Sequence, residues 1–513
     1  MMRLTALLLI QFLIVAQLSA QISSGGTPLS FSMSLDDDLT TLAMPEADIA
    51  AYLAEDKAAG WDVAPRFGVP YDVVLNLNNS GTWTMLNDGS RLWRCRIASR
   101  GAYSINLQFD EFYLPPGATL FIYNDNRSHV IGAFTSKNNK TDKRFATQPV
   151  QGDAITLEYH EPASQRARGV ISIWRVVHAY RDMFHQGSLD DFGDAAWCAV
   201  NINCPEGADW QDEKRGVAMI IAGDGTRWCS GSLLNNARND GTPYFNTASH
   251  CVSEQDIGTW VFIFNYESPD CEIVDGPLDQ SIAGGTYLMH NYSSDFALVE
   301  ISEPIPVRYN PYFEGWNAVD VPAQHTACIS HPAGDVKKIG IDNDPAISSG
   351  GPHSITESYW LVDRWEIGHV QHGSSGAPLF DQDGYVIGQV NGGQGWCDDE
   401  LNYVLFGKFG FSFDSGARQY LDPDSTGVRL LDGYDPNQVG PPPVTGLVVR
   451  PEGNNIVLSW DSDDTPYYLI YSSLTPEIPF PYYEGMTEQT SFTIENGCQD
   501  DQQFYYVLGY LPR

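Results

Sequence analysis

Three short segments carry residue types that can perform acyl-transfer chemistry together. They are Thr247-Ala248-Ser249-His250-Cys251, Ser294-Asp295-Phe296-Ala297-Leu298-Val299 and Gly373-Ser374-Ser375-Gly376-Ala377-Pro378-Leu379. Cleaving an amide by this route needs a hydroxyl nucleophile, a base to take its proton, and a carboxylate to orient the base. Ser375, His250 and Asp295 offer these three groups. A serine between glycines on a tight turn exposes its hydroxyl. The small neighbours also let the backbone N–H groups of Gly373 and Ser375 point at one spot, as an oxyanion requires. Each segment alone is ordinary: a glycine turn, a structural His-Cys, an Asp before an apolar strand. Their joint presence is the signal.

The elements that must position these residues read as β throughout. Strands are expected at 217–222, 261–266, 296–301, 385–390 and 404–411 within a unit spanning 186 to about 433. Upstream, apolar runs at 92–97, 103–109, 118–123, 129–134, 154–159 and 170–177, bounded by turn residues, predict a β-sandwich over 76–185. The stretch 110–117 reads as a loop, and 43–60 as a helix with Pro45 near its start. His160-Glu161 begins like a zinc-protease motif, but residue 164 is Ser, so the second ligand is missing. A stiff Gly440-Pro441-Pro442-Pro443 linker precedes a last set of strand patterns at 456–460, 467–471, 491–494 and 504–510.

Arg3 followed by an apolar run from Leu4 to Val15, with Ser19-Ala20 as a small-residue cleavage site, reads as a secretory signal over 1–20. It is short for a bilayer span, so no membrane anchor is expected. Export permits disulfides. The nine cysteines include no C-x-x-C pair, and an odd count leaves at least one thiol over. The formal charge of −36, from 65 acidic and 29 basic residues, excludes the basic footprint that nucleic acid demands. The carboxylates are scattered, which reads as solubility.

The order His250, Asp295, Ser375 along the chain is that of chymotrypsin-like peptidases, not of α/β-hydrolases or subtilisin. Cys229-Ser-Gly-Ser-Leu-Leu followed by Thr-Ala-Ser-His250-Cys resembles the trypsin-like pattern around a catalytic His. Cys198-Ala-Val-Asn-Ile-Asn-Cys204-Pro-Glu-Gly, Ser294-Asp295-Phe296, Gly373-Ser-Ser-Gly-Ala-Pro and Gly388-Gln-Val-Asn-Gly-Gly393 are similar to bacterial lysyl endopeptidases over about 193–433, continuing into Leu421-Asp-Pro-Asp-Ser-Thr-Gly427. The resemblance implies an all-β chain. Expected with it are a two-barrel chymotrypsin-like domain at 193–433, a pro-segment at 21–75 and a pro or accessory sandwich at 76–185; after a linker at 434–443, the order of Pro, strand, Trp460 and Tyr-rich strand separately resembles a fibronectin type III module at 444–513. The peptidase resemblance implies the bridges Cys198–Cys397, Cys204–Cys271 and Cys229–Cys251, leaving Cys95, Cys328 and Cys498 without counterparts, and a mature N-terminus near Gly193. It also implies that Asn391, Gly392, Gly393 and Val404 bind substrate, the two glycines by strand pairing.

The family's lysine-binding Asp falls at Val404, and its active-site His at Asn391. Lysine preference is therefore not carried over, and an apolar or small side chain is expected in the pocket. Asp398, Asp399 and Glu400 are close enough in sequence to substitute for the missing charge, though they read better as a solvated loop. His369, six residues before Ser375, is a candidate pocket floor for an acidic side chain. The expected function is secreted serine endopeptidase: a monomer acting on protein or peptide, with no cofactor or metal. An inert peptidase-like binding protein is the alternative, distinguished by absence of peptide turnover. A secreted esterase with the same three residues is disfavoured by their chain order.

Overall fold

The computed structural model describes residues 25–510 except 34, 36–38, 59–63, 185–194, 253–256, 273, 353, 396, 398, 400–401, 438–443, 462–466, 474–481, 488 and 495–503. The signal over 1–20, Gly193, Asp398, Glu400, the Pro441–Pro443 stretch and Cys498 lie outside the described residues. The chain is all-β, as expected, and divides into two compact units, Met1–Asp435 and Pro436–Arg513. No described helix is long and apolar enough to cross a membrane.

In the first unit, two sheets built from residues 41–179 enclose a core of Cys95, Ile97, Ile105, Leu107, Phe109, Ile122, Ile155 and Leu157. Strands Thr41–Ala43 and Gly68–Asn76 join these sheets, so the layer starts upstream of residue 76. The expected helix is shorter, Ile49–Ala58. Asp48 accepts the Ala51 N–H at 3.2 Å at its start, and the chain from 41 to 43 is instead paired with 96–98. The expected loop at 110–117 also differs: Ser104–Tyr113 is one strand. A bulge leaves Asp110 unpaired between Phe109↔Ile173 and Glu111↔Ser172, so polar residues continue the strand.

A seven-stranded sheet follows, in the order Ser281–Ala283, Val261–Phe264, Val217–Ala222, Arg227–Leu234, Tyr244–Ala248, Phe296–Ile301, Gly285–Asn291. Its strand Val217–Ala222 is buried at every residue, which requires apolar side chains on both faces and gives the sequence VAMIIA. A ten-stranded sheet includes Lys338–Asp342, Thr326–Ser330, Pro378–Asp381, Val386–Gln394, Tyr403–Lys408 and Ser354–Val362 in that order. The strand expected to run to 411 ends at Lys408, where Phe409–Ser412 turns helical. Cys198–Cys397, Cys204–Cys271 and Cys229–Cys251 are disulfide-bonded, while Cys95 and Cys328 are buried free thiols.

The second unit contains two three-stranded sheets over a small core of Val444, Leu458, Trp460, Tyr468, Ile470 and Val507. The Trp460 and Tyr468 rings meet edge to face, with centroids 5.2 Å apart.

Candidate active site

Strand register places His250 beside Asp295. Tyr244–Ala248 pairs antiparallel with Phe296–Ile301, and the ladder ends at Ala248↔Phe296. His250 lies in the 3-10 turn just past Ala248, and Asp295 immediately precedes Phe296. The two residues, 45 apart in sequence, therefore meet at one sheet corner. Asp295 adopts φ +50, a left-handed conformation that aspartate tolerates better than most residues. From there its carbonyl accepts the Ser249 N–H at 2.9 Å, and its Oδ1 accepts the His250 N–H at 3.0 Å. Its Oδ2 lies 2.7 Å from His250 Nδ1. One carboxylate thus fixes both the backbone and the ring of the histidine.

Ser375 comes from the other sheet. Its turn leads into strand Pro378–Asp381 and is tied to the neighbouring strand by Gly376 N–H to Val390 O at 2.8 Å and Val390 N–H to Ala377 O at 2.9 Å. Across to the first sheet, Ser230 N–H donates to Ser375 O at 2.9 Å, and Cys251 Sγ lies 3.9 Å from that same oxygen. A Cβ built on Gly376 would stand 2.5 Å from the Ala248 nitrogen, so only glycine lets the turn close onto the histidine segment. Ser375 is 3% exposed. Burial lowers the pKa of His372, on the same turn, and the nearby His250 adds to that shift.

Gly373 has φ +97, and a Cβ there would meet Trp228 Nε1 at 2.6 Å and His331 O at 2.8 Å. Its carbonyl is held by the Ser230 hydroxyl, which donates to it at 2.9 Å and accepts from His331 N–H at 3.0 Å. Neither the Gly373 nor the Ser375 amide donates to a carbonyl among the described residues. Ser230 was visible only as part of a quoted motif. Its double role depends on residues 101 and 143 positions away and left no local signal.

The residues expected to bind substrate divide. Gly392 and Gly393 pair with Leu405 and Val404 on one side, and no described strand pairs with the other edge of 391–394. Asn391 instead turns its side chain to the acid, donating Nδ2–H to Asp295 Oδ2 at 2.8 Å. Val404 is buried in an apolar cluster with Val362, Val370, Val390 and Phe406. His369 is buried, which lowers its pKa, while Asp399 opposes that shift. Elsewhere, Asp342, Asp344 and Glu366 hold carboxylate oxygens within 4.8 Å of one another, a grouping that is common without an ion. Burial pushes Asp342 up to about 6.

Residues 192–404 match the family model described as lysyl endopeptidase, C-terminal domain. The chain is 26% identical over 370 residues to the lysyl endopeptidase of Pseudomonas aeruginosa, covering 67% of this chain and 79% of that protein. Solved structures with some likeness include the thermostable serine protease AL20 from an extremophilic microorganism, at 16% identity and TM-score 0.30, covering 42% of this chain and 99% of that one. Protease Anisep from Arthrobacter nicotinovorans is another, at 15% identity and TM-score 0.29, covering 40% and 96%.

Proposed function

We propose that this chain is a secreted serine endopeptidase that hydrolyses peptide bonds through Ser375, His250 and Asp295. The observation that carries the reading is the 2.7 Å contact between His250 Nδ1 and Asp295 Oδ2, placed where the Gly373–Gly376 turn packs on the histidine segment. With Nδ1–H directed at Asp295, His250 Nε2 takes the Ser375 proton as Oγ bonds to the scissile carbonyl carbon. The Gly373 and Ser375 amides then stabilise the resulting oxyanion. His250 returns the proton to the leaving amine as the C–N bond breaks. Water, deprotonated by His250 in turn, cleaves the acyl ester and restores Ser375. The similarity to lysyl endopeptidase supports the reaction class, and three disulfides support an oxidising compartment.

The open edge at 391–394 receives the substrate backbone as an added strand. Burial of Val404 among Val362, Val370 and Phe406 supports an apolar side chain on the acyl side of the scissile bond, in place of lysine. A fluorophosphonate probe is expected to label Ser375, and the label is expected to vanish in Ser375→Ala. Equal labelling of both proteins would refute the assignment. A peptide-library cleavage profile would then show apolar preference, and a strict lysine profile would refute the pocket reading.

A further inference from the structure

Every carbonyl from Gln371 to Ser375 is pinned. Gln371 O accepts the Ser374 N–H at 3.0 Å, His372 O the Ala333 N–H at 2.6 Å, and Ser374 O the Ala377 N–H at 2.8 Å. Gly373 O and Ser375 O are both taken by Ser230, the first by its hydroxyl and the second by its N–H. A peptide unit is planar and trans, so fixing the carbonyl of one residue fixes the N–H of the next. The His372 carbonyl therefore sets the Gly373 amide, and the Ser374 carbonyl sets the Ser375 amide. These are the donors that the proposed mechanism offers to the oxyanion. A second turn shares the task, because Ala333, which holds His372, lies at φ +54 within 331–335. That turn is closed by Gly334 N–H to His331 O at 3.1 Å and Asp335 N–H to Pro332 O at 2.9 Å. Both turns grip one distant stretch of chain. Gln371 Oε1 accepts the Ala196 N–H at 2.8 Å, and Asp335 Oδ2 accepts the Ala195 N–H at 3.2 Å. Both side chains are buried. The stretch itself is fastened just beyond, by the Cys198–Cys397 bridge and by pairing of Val200–Asn201 with Lys338 and Ile339.

We propose that Gln371 and Asp335 are positioning residues for the Gly373 and Ser375 amides, bracing the two turns against Ala195 and Ala196. The proposal rests on the peptidase reading above. Without the Gln371 acceptor, the first residue of the Ser375 turn loses its tie to the anchored stretch, and the Ala196 N–H loses its partner. The turn then loosens where productive geometry tolerates only about 0.5 Å. Charge develops at this spot in the transition state and not in the bound substrate, so the loss falls on kcat and not on KM. Ala195 and Ala196 both follow the mature N-terminus expected near Gly193, so the bracing survives that processing.

The test uses the protein as secreted, with a chromogenic peptide, a fluorophosphonate probe and a peptide aldehyde of the same sequence, which forms a tetrahedral adduct with a serine. Gln371→Met keeps the side-chain volume and removes the acceptor. It is expected to lower kcat and the labelling rate about tenfold, with KM changed less than about twofold. Affinity for the aldehyde is expected to fall by the same factor as kcat/KM, while the acidic limb of the pH–rate profile stays in place. Gln371→Glu keeps an oxygen for the Ala196 N–H and is expected to restore most of the loss. If Gln371→Met does not fold, Asp335→Asn is read in its place with the same expectation. It leaves one acceptor oxygen for Ala195 N–H, Val336 N–H and Lys338 Nζ, which two oxygens now share. Wild-type kcat in the folded variant, or a fall in kcat with aldehyde affinity unchanged, would overturn the proposal. A wild type that never labels would instead defeat the peptidase reading beneath it.

Discussion

Replacing Asn391 with alanine removes one of three hydrogen bonds accepted by the Asp295 carboxylate, and specifically the one that shares Oδ2 with the His250 ring. A hydrogen bond to a charged group contributes about 1.5–3 kcal/mol. Its loss acts in two ways. The carboxylate is held less firmly, so the ring it orients samples more geometries. The carboxylate is also left with more of its charge facing the imidazole, which favours the protonated ring. If roughly half of the lost energy is transmitted to the ring, the shift is about one pKa unit, at 1.36 kcal/mol per unit. In the proposed mechanism His250 acts as the neutral base, so a raised pKa moves the acidic limb of the kcat/KM profile upward. The expected result for Asn391→Ala is that limb displaced upward by about one unit and kcat lowered about tenfold to a hundredfold, with KM little changed. Asn391→Asp sets a second negative charge beside Asp295 and is expected to move the limb further in the same direction. The assay is a set of pH–rate profiles on one chromogenic peptide. An unchanged limb in Asn391→Ala, or a downward shift in Asn391→Asp, would refute the reasoning, because a merely structural role would slow the enzyme without moving the limb.

Three other outcomes are expected. Gly373→Ala forces a side chain into φ +97 and against Trp228, so kcat should fall by about two to three orders of magnitude, as for loss of an oxyanion donor, while circular dichroism stays native. Cys229→Ser with Cys251→Ser opens a loop of sequence separation 22 and should cost about 3 kcal/mol in urea unfolding, with a parallel loss of activity because Cys251 adjoins His250. Asp342, raised by burial to about 6 from the ordinary 3.8 of an aspartate, binds more protons folded than unfolded between those values, so its contribution to stability is lost as pH rises through that window. Asp342→Asn should therefore raise the melting temperature at pH 7 and leave it nearly unchanged at pH 4, and an equal effect at both would contradict the sign.

Strands with branched or aromatic runs were legible in the sequence: Val217–Ala222, Phe296–Ile301 and Ser491–Ile494 fall where their composition puts them. Arg227–Leu234, Thr326–Ser330 and Lys338–Asp342 were not. They are rich in Ser, Gly, Cys or Lys, and their burial depends on distant partners, as when Lys338 Nζ donates to Asn201 Oδ1 at 2.5 Å. The same holds at the site. His250, Asp295 and Ser375 stand out because their chemistry is specific to their type and order. The pairing of Asn391 with Asp295 spans 96 residues, and an amide in a Gly-rich strand announces nothing about which way it points. Asp110 misled for a related reason: a polar residue before prolines reads as a loop, yet a bulge can absorb it without ending the ladder.

The two buried free thiols bear on how the molecule is made. Cys95 and Cys328 sit in different apolar cores, fully enclosed, and burial raises both pKa values, Cys95 to about 11. In the finished protein they are protonated and beyond the reach of oxidants. In the nascent chain they are ordinary thiols competing with seven others for partners. Correct bridging therefore depends on timing: both cores must close before exchange stops, so a strongly oxidising medium without an isomerase should yield scrambled chains even though the native sequence favours one set of links.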